Sequence, residues 1–250
     1  MTFRDRLGHR VPLILGHRGD ADRYPENTIA AVRSALDAGA DGVEVDVQRS
    51  IDGRLVVIHD DDLWRTTGAA GRVADRTAAE LRALDAGSWR GAAFTGLPIP
   101  LLDEVFAVAA RRGSVAVEIK ESWDDHPDMA AAVLDEAAAA SMADDVIVLA
   151  FDHRHLVAAR ESTAGATTGA LVTDAPARPE ALLQATGADL IVPEFSSVNA
   201  SLCDAVHSAG AAVGAWTVDD DAEALRLAAL GVDVLITNRP ATMVAVLRAR

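Results

Sequence analysis

Short apolar runs alternate with alanine-rich segments along most of the chain. Eight of the runs are predicted as strands, and they are Val11–Gly16, Gly42–Val47, Val115–Lys120, Val146–Phe151, Thr168–Val172, Leu190–Val192, Ala212–Thr217 and Val234–Thr237. The segments between them are predicted as helices, and they are Ile29–Asp37, Leu102–Arg111, Met129–Ala140, Leu156–Arg160, Glu180–Thr186, Ser201–Ser208, Ala222–Leu230 and Ala241–Arg248. Strands that alternate with helices through short turns indicate parallel strands joined by right-handed crossovers.

The repeat predicts an α/β fold, a (β/α)8 TIM barrel, because eight such units fit a chain of 250 residues. Glycines that commonly end a helix follow four of the predicted helices, at Gly39, Gly187, Gly210 and Gly231. A doubly wound open sheet is the alternative, but no glycine-rich dinucleotide loop follows the first strand. We expect one domain over residues 1–250, since no linker divides the chain.

Residues 60–100 interrupt the repeat. This segment is rich in arginine, aspartate, threonine and glycine, and it contains one short helical pattern, Thr77–Leu84. We interpret it as a small insertion within the barrel, after the second strand. It is either a plain surface excursion or a lid that forms a substrate wall beside the mouth of the barrel.

Charge and composition narrow the range of partners. A formal net charge of −15 argues against nucleic acid and against stable membrane association, since both attract basic surfaces. A small anionic substrate would then need a local positive site. Cys203 is the single cysteine, which excludes an intrachain disulfide. The apolar run 11–15 is too short for a signal peptide or a membrane span, so a cytoplasmic protein is the default expectation. The oligomeric state stays open.

Acidic side chains lie on one face of two predicted strands. Glu44 and Asp46 are two positions apart, so they share the inward face, while the valines that alternate with them face the helices. Glu118 and Lys120 repeat this arrangement on the third strand. Burying three carboxylates together is costly unless something compensates their charge. A hard cation with oxygen ligands, Mg²⁺ or Ca²⁺, would do so. The alternative is a carboxylate cluster paired with arginine and lysine.

Histidines and cations stand beside these carboxylates in the predicted barrel. His17 ends the first strand and His59 ends the apolar run after the second, where strand ends face the active site. Either histidine can act as acid or base near neutral pH. Arg18 offers a planar fork for phosphate or a bridge to Glu26, and Lys120 adds a point charge. The other histidines are interpreted as surface residues: His9, His126, His153, His155 and His207.

Motifs along nearly the whole chain resemble those of the glycerophosphodiester phosphodiesterase family, bacterial type. They are His17-Arg18-Gly19, Pro25-Glu26-Asn27-Thr28, Glu44-Val45-Asp46, His59-Asp60, Arg65-Thr66-Thr67-Gly68, Leu84-Asp85-Ala86-Gly87, Glu118-Ile119-Lys120, Trp216-Thr217-Val218 and Thr237-Asn238-Arg239-Pro240. Each motif is weak alone, but together they follow the family's order and spacing. The resemblance implies metal-dependent hydrolysis of glycerophosphodiesters to glycerol 3-phosphate and an alcohol.

The resemblance also implies roles for the acidic residues and the histidines. It places a divalent metal on Glu44, Asp46 and Glu118, and it makes His17 and His59 the general acid and base. Which histidine is the acid stays open. So does the nucleophile, which is either water or a neighbouring hydroxyl of the substrate that would form a cyclic phosphate.

Substrate contacts are implied for four residues: Arg18, Lys120, Trp216 and Phe151. Trp216 would line the glycerol side of the pocket, with barrel core as an equal alternative. The family often has Ser-Phe where this chain has Ala150-Phe151, so any hydroxyl contact from that position is missing. Glu26 and Asn27 would orient the histidines or the metal from behind. In the same motif, Asn27 or Thr28 is expected to cap the helix that follows.

Other functions remain open at this point. A lysophospholipase D or a cyclising phospholipase-type barrel lyase could use a similar histidine pair, but those enzymes act at membranes, and no basic or aromatic surface run supports that here. A non-catalytic homologue that binds glycerophosphate should have lost a catalytic histidine or a metal carboxylate, and this chain retains all five. The head group of the substrate is not predicted.

Overall fold

One nine-stranded sheet closes on itself in the computed structural model, which describes residues 2–8, 11–163 and 165–248. The strands are β1 (Leu13–His17), β2 (Gly42–Arg49), β3 (Leu55–Val57), β4 (Ser114–Ile119), β5 (Val146–Ala150), β6 (Thr167–Val172), β7 (Leu190–Pro193), β8 (Ala212–Ala215) and β9 (Val234–Thr237). All but β3 are parallel neighbours, and β1 pairs with both β2 and β9, which closes the ring. The predicted TIM barrel is confirmed.

Helices follow the barrel strands, as the sequence predicts. They are α1 (Ile29–Asp37), α2 (Trp64–Thr67), α3 (Ala78–Arg82), α4 (Leu102–Ala109), α5 (Met129–Ala139), α6 (Arg154–Ser162), α7 (Pro179–Thr186), α8 (Ala200–Ser208), α9 (Asp221–Ala229) and α10 (Pro240–Arg248). Thr28 caps α1, since its side chain accepts a hydrogen bond from the Ala31 amide at 3.2 Å. None of the helices that the structure describes is long and apolar enough to cross a membrane.

Alternate residues of each strand face two different apolar cores. Val43, Val45 and Val47 of β2 pack with the surrounding helices, and the residues between them point into the barrel. A second core fills the barrel interior and includes Leu13, Leu15, Ala116, Ile147, Leu149, Leu171, Leu190, Val192, Val234 and Ile236. Strand register places His17 opposite Glu44 and Asp46 opposite Glu118. The carboxyl ends of the parallel strands therefore bring these four residues to one face.

The N-terminal segment closes the opposite end of the barrel. Phe3 is buried among the interior residues, and its amide donates to the Asp144 carbonyl at 3.0 Å. Arg4, in a short 3-10 helix, donates to Asp189 and to the Ala166 carbonyl, both at 2.7 Å. These acceptors precede β5, β6 and β7, so the segment lies at the amino ends of the strands.

The segment between β3 and α4 forms a small core of its own. β3 pairs antiparallel with β2, and the chain then enters α2 and α3 before it returns to the barrel. The apolar residues buried in this layer are Val56, Ile58, Leu63, Val73, Ala78, Leu81, Ala86 and Ile99. The predicted helical piece Thr77–Leu84 corresponds to α3, and Thr77 caps it through a reciprocal pair of hydrogen bonds with Glu80. β3 and α2 were not predicted.

Candidate active site

Three carboxylates meet inside the carboxyl end of the barrel. Glu44, Asp46 and Glu118 each offer one oxygen, and these oxygens all lie within 4.8 Å of one another. The side chains converge because Glu44 and Asp46 share the inward face of β2 and because Asp46 lies opposite Glu118 on β4. Glu44 and Asp46 are almost completely buried, at 2% and 0% exposure.

The charge of this cluster is only partly balanced by the surrounding protein groups. Burial raises the pKa of Glu44 well above its ordinary value, and repulsion from Asp46 and Glu118 raises it further. Burial and the charge of Asp46 also raise the pKa of Glu118. Among the residues that the structure describes, Glu44 Oε1 and Asp46 Oδ1 are buried and have no hydrogen-bond partner. Grouped oxygens of this kind fit a hard divalent cation.

Two cations border the carboxylates. Arg18 Nη1 donates to Glu26 at 2.8 Å, and Arg18 Nε lies 3.1 Å from an oxygen of Asp46. Lys120 Nζ donates to Glu118 at 2.7 Å and lies 3.9 Å from Asp46. Pairing with arginine and lysine, the alternative to a metal, is therefore partly met. The orphaned oxygens show that it does not satisfy the whole cluster, and a site of mixed charge can hold a cation and a phosphate side by side.

His17 is oriented by a chain of hydrogen bonds from the last strand of the barrel. Asn238 Nδ2 donates to Asp219 at 2.6 Å, so Asn238 Oδ1 faces His17 Nδ1 at 2.7 Å. Because that oxygen can only accept, Nδ1 carries the proton, and Nε2 is left as an acceptor 4.0 Å from Glu44. Burial, with the charge of Arg18, lowers the pKa of His17. A neutral imidazole aimed at the carboxylates can accept a proton.

His59 has a different partner but the same tautomer. Its Nδ1 lies 2.6 Å from Asp60, a carboxylate that accepts the proton, and its Nε2 accepts from Lys120 Nζ at 3.2 Å. Partial burial acts to raise the pKa of Asp60, but hydrogen bonds from Arg65 and His59 outweigh it and lower that pKa to about 2. The Asp60 carboxylate therefore stays ionised near neutral pH and accepts the Nδ1 proton of His59.

The loop before α1 holds two residues in a rare backbone conformation. Arg18 and Asn27 have φ values of 53° and 57°, and the Asn27 amide donates to the Arg18 carbonyl at 3.0 Å. Left-handed backbone costs on the order of 1 kcal/mol for such residues. Asn27 then donates to Asp46 at 2.8 Å, so the turn fixes both Arg18 and a cluster carboxylate. Gly19 is required here, since a Cβ would lie 2.5 Å from the backbone of Ala31.

Two aromatic residues follow β5 and β8, two strands that are not adjacent in the barrel. The rings of Phe151 and Trp216 pack edge to face, with centroids 5.6 Å apart and planes at 87°. Trp216 is half-buried and donates through Nε1 to the Val192 carbonyl at 2.9 Å, whereas Phe151 is exposed. The Trp216 side chain contacts the interior core as well, which agrees with the barrel-core alternative, and its place on the glycerol side of the pocket stays a prediction. The pair forms an apolar wall that can contact the carbon skeleton of a ligand.

The other histidines do not all lie at the surface. His155 is fully buried, so its interpretation as a surface residue is wrong. Its Nε2 donates to the Glu121 carbonyl at 3.0 Å, and its ring packs edge-on against Trp123. His207 is exposed and binds Asp233, while His126 and His153 are half-buried. His9 lies outside the described residues.

Four residues of the site received no role from the sequence: Asp60, Arg65, Asp219 and Asn238. Three of them stand inside motifs that carry the family resemblance, at His59-Asp60, Arg65-Thr66-Thr67-Gly68 and Thr237-Asn238-Arg239-Pro240. Their position inside these motifs was the only feature of the sequence that could have indicated a role. Some of their contacts are distant in sequence: Asn238 and His17 are 221 positions apart, and Arg65 and Glu26 are 39 apart.

Known protein sequences include relatives of this chain. The model of the glycerophosphoryl diester phosphodiesterase family matches residues 17–242. A glycerophosphodiester phosphodiesterase of Caldanaerobacter subterraneus is 34% identical, covering 94% of this chain and 98% of that protein. A glycerophosphodiester phosphodiesterase of Bacillus altitudinis is 33% identical, covering 91% of this chain and 94% of that protein.

Solved structures share the same architecture. A phosphodiesterase of Oleispira antarctica, in complex with the product sn-glycerol-3-phosphate, superposes with a TM-score of 0.90 at 28% identity and covers 95% of this chain and 97% of its own. A glycerophosphodiester phosphodiesterase of Agrobacterium tumefaciens superposes with a TM-score of 0.84 at 29% identity and covers 94% of this chain and 99% of its own.

Proposed function

Because the chain belongs to the glycerophosphoryl diester phosphodiesterase family, we propose that it hydrolyses small glycerophosphodiesters in a metal-dependent reaction assisted by two histidines. The products would be glycerol 3-phosphate and the alcohol of the head group. The product named for the Oleispira antarctica relative supports a glycerol 3-phosphate product for this chain as well.

The observation that carries the metal dependence is the buried carboxylate cluster with its orphaned oxygens. Glu44, Asp46 and Glu118 would hold the ion, Mg²⁺ or Ca²⁺, which when bound polarises the phosphate and lowers the pKa of an attacking hydroxyl. Without a bound cation, the burial of these like charges close to one another is energetically unfavourable. The raised pKa values of Glu44 and Glu118 express that cost.

The two cations and the two histidines supply the remaining chemistry. Arg18 and Lys120 counter charge on the non-bridging oxygens of the phosphate as it shifts in the transition state. Nε2 of one histidine takes the proton of the nucleophile, and Nε2 of the other returns a proton to the leaving alkoxide. Both rings hold that nitrogen toward the site because a carboxylate or amide oxygen occupies Nδ1. Trp216 and Phe151 would face the glycerol.

A single assay tests the proposal. Purified protein is given glycerophosphocholine with and without a chelator, and release of glycerol 3-phosphate is followed with a coupled dehydrogenase. We expect chelator-sensitive release, and we expect Glu118→Ala to nearly abolish it, with poor rescue by excess metal. Glu80→Gln, an exposed carboxylate in the insertion, is the matched control. Full turnover in the presence of chelator, or by Glu118→Ala, would contradict the metal assignment.

A further inference from the structure

Arg65 joins two parts of the site that no barrel strand connects. It lies on α2, and the proposed reaction does not use it. Its Nη1 and Nη2 donate to the two carboxylate oxygens of Glu26, both at 2.8 Å, and its Nε donates to Asp60. One planar guanidinium therefore binds two carboxylates through three N–H groups, a geometry that only arginine provides.

Each of these carboxylates holds a residue that the proposed reaction needs. Asp60 accepts the Nδ1 proton of His59 at 2.6 Å, and Glu26 Oε1 also accepts from Arg18 at 2.8 Å. A continuous chain of ion pairs therefore runs from the histidine to the phosphate-facing arginine, with Arg65 at its centre. Removing the guanidinium would leave Asp60 bonded to His59 and Glu26 bonded to Arg18 without the group that fixes the orientation of each carboxylate.

The insertion fixes the position of the guanidinium. Leu63, just before α2, is fully buried in the small core of the insertion, and Thr66 is buried on the helix itself. Gly68 ends the helix with a left-handed φ of 69°. The buried side chains of Leu63 and Thr66 therefore hold α2 against the small core. The Arg65 side chain, which is 41% exposed, extends from the other side of the helix to the barrel mouth.

We propose that Arg65 is a positioning residue that holds His59 and Arg18 in their working geometry through Asp60 and Glu26. The segment between β3 and α4 then serves as part of the scaffold of the active site. This inference rests on the proposed function. Partners that orient such groups from behind typically contribute about 10- to 100-fold to activity when they are mutated.

Kinetics of matched variants test the inference. Arg65→Met and Arg65→Lys should each lower kcat/KM by about 10- to 100-fold, because lysine keeps the charge but cannot bridge two carboxylates. Arg82→Met is the control, since Arg82 makes a bidentate pair with Glu104 in the same segment and away from the site. We expect it to keep wild-type kinetics. Equal losses in Arg82→Met and Arg65→Met would overturn the inference.

The two halves of this series of ion pairs, one through Asp60 and one through Glu26, can be tested separately. Asp60→Asn should lower kcat with little change in KM, because it affects His59. Glu26→Gln should lower kcat and also raise KM, because it affects Arg18, which would contact the phosphate in the bound substrate as well as in the transition state. Arg65→Met should do both, and it should have little further effect in the Asp60→Asn/Glu26→Gln background. A loss of fold stability alone would not give this split. If the kinetic effects of the three substitutions were fully additive, Arg65 would not act through Asp60 and Glu26.

A crystal structure of Arg65→Met distinguishes failure of the inference from failure of the proposed function. If the wild-type protein releases no glycerol 3-phosphate, the proposed function fails, and the positioning is judged from the structure alone. We expect the carboxylates of Asp60 and Glu26, and with them the His59 ring, to move from their wild-type positions. Unmoved side chains would refute the positioning role whatever the activity.

Discussion

At the residue scale, both histidines of the site present the same nitrogen to the same space but are held there by unlike partners. Asn238, a neutral amide, faces Nδ1 of His17, and Asp60, a carboxylate, faces Nδ1 of His59. Both oxygens accept the Nδ1 proton, so Nε2 is the nitrogen that each ring turns toward the site. The two rings therefore share a tautomer but differ in the charge of the partner that orients them.

Removing either ring should stop most of the chemistry without unfolding the protein. We expect His17→Ala and His59→Ala each to lower kcat by about 10²- to 10⁴-fold, the usual contribution of a general acid or base. Neither side chain belongs to an apolar core, so melting temperatures should stay close to wild type. His126→Ala, in the loop after β4, is the control. A variant that loses activity only through unfolding would remove that histidine from the mechanism.

The carboxylate cluster makes stability depend on both pH and metal. Burial and mutual repulsion raise the pKa values of Glu44 and Glu118. An acid whose pKa is raised by folding favours the folded state least when it is ionised, so the metal-free protein loses stability as pH rises above the ordinary value of about 4.3. We therefore expect added Mg²⁺ to raise the melting temperature more at pH 8 than at pH 5. An equal shift at both pH values would argue that the ion binds elsewhere.

Sequence patterns predicted that the three carboxylates lie together at this site. They did not predict the backbone conformations and the long-range contacts that hold the surrounding residues in place. Period-two alternation on β2 and β4 is enough to aim Glu44, Asp46 and Glu118 inward. The left-handed conformations of Arg18 and Asn27 follow from no such pattern. Asparagine adopts this conformation in some turns, but arginine does so rarely, and neither residue type alone predicts it. Contacts such as that between Arg65 and Glu26, 39 positions apart, likewise require the folded barrel.

At the scale of elements, long periodic segments were predictable and very short ones were not. α1 was predicted with its observed bounds, because Ile29, Val32 and Leu36 recur on one face of the helix and Thr28 caps its start. β3 has three residues and α2 has four, which is too few for a period to show in the sequence. His155 was misjudged for a related reason: α6 begins at Arg154, two positions before the predicted start, so its first turn buries this residue.

α5 carries a carboxylate that should weaken the fold at high pH. Partial burial of Glu136, with repulsion from Asp103, raises its pKa to about 7, although Arg54 opposes the rise. The folded state therefore loses stability as the pH rises from the ordinary glutamate pKa of 4.5 to about 7, and the full loss is present above that pH. Solvent screening limits the effect to less than about 1 kcal/mol. Glu136→Gln should raise the melting temperature by about 2 °C at pH 8 and by much less at pH 5.

The neighbouring residue supplies the control for this change on α5. Asp135→Asn removes one negative charge from an exposed position of the same helix. We expect no difference between pH 5 and pH 8 for that variant, as measured by thermal unfolding. If both variants stabilise the protein equally at pH 8, the cause is the net charge of −15 and not the burial of Glu136.

At the scale of the whole molecule, the two ends of the barrel have separate tasks. The carboxyl ends of the strands gather charged groups whose burial is unfavourable, and the amino ends are closed by apolar packing and ion pairs of the N-terminal segment. Barrels of this type allow the division because the interior between the two ends is filled by side chains. Substitutions at the closed end should therefore change stability and leave the chemistry alone.

Phe3 is the sharpest test of this division. Its ring is buried among interior residues at the end opposite to His17, so Phe3→Ala removes a large apolar side chain from a closed core. We expect a loss of about 3 kcal/mol in the free energy of unfolding, measured by urea titration, and an unchanged kcat under folded conditions. Val11→Ala, a change at an exposed apolar residue, should cost far less. A lower kcat in Phe3→Ala, with unfolding free energy intact, would show that the two ends are coupled after all.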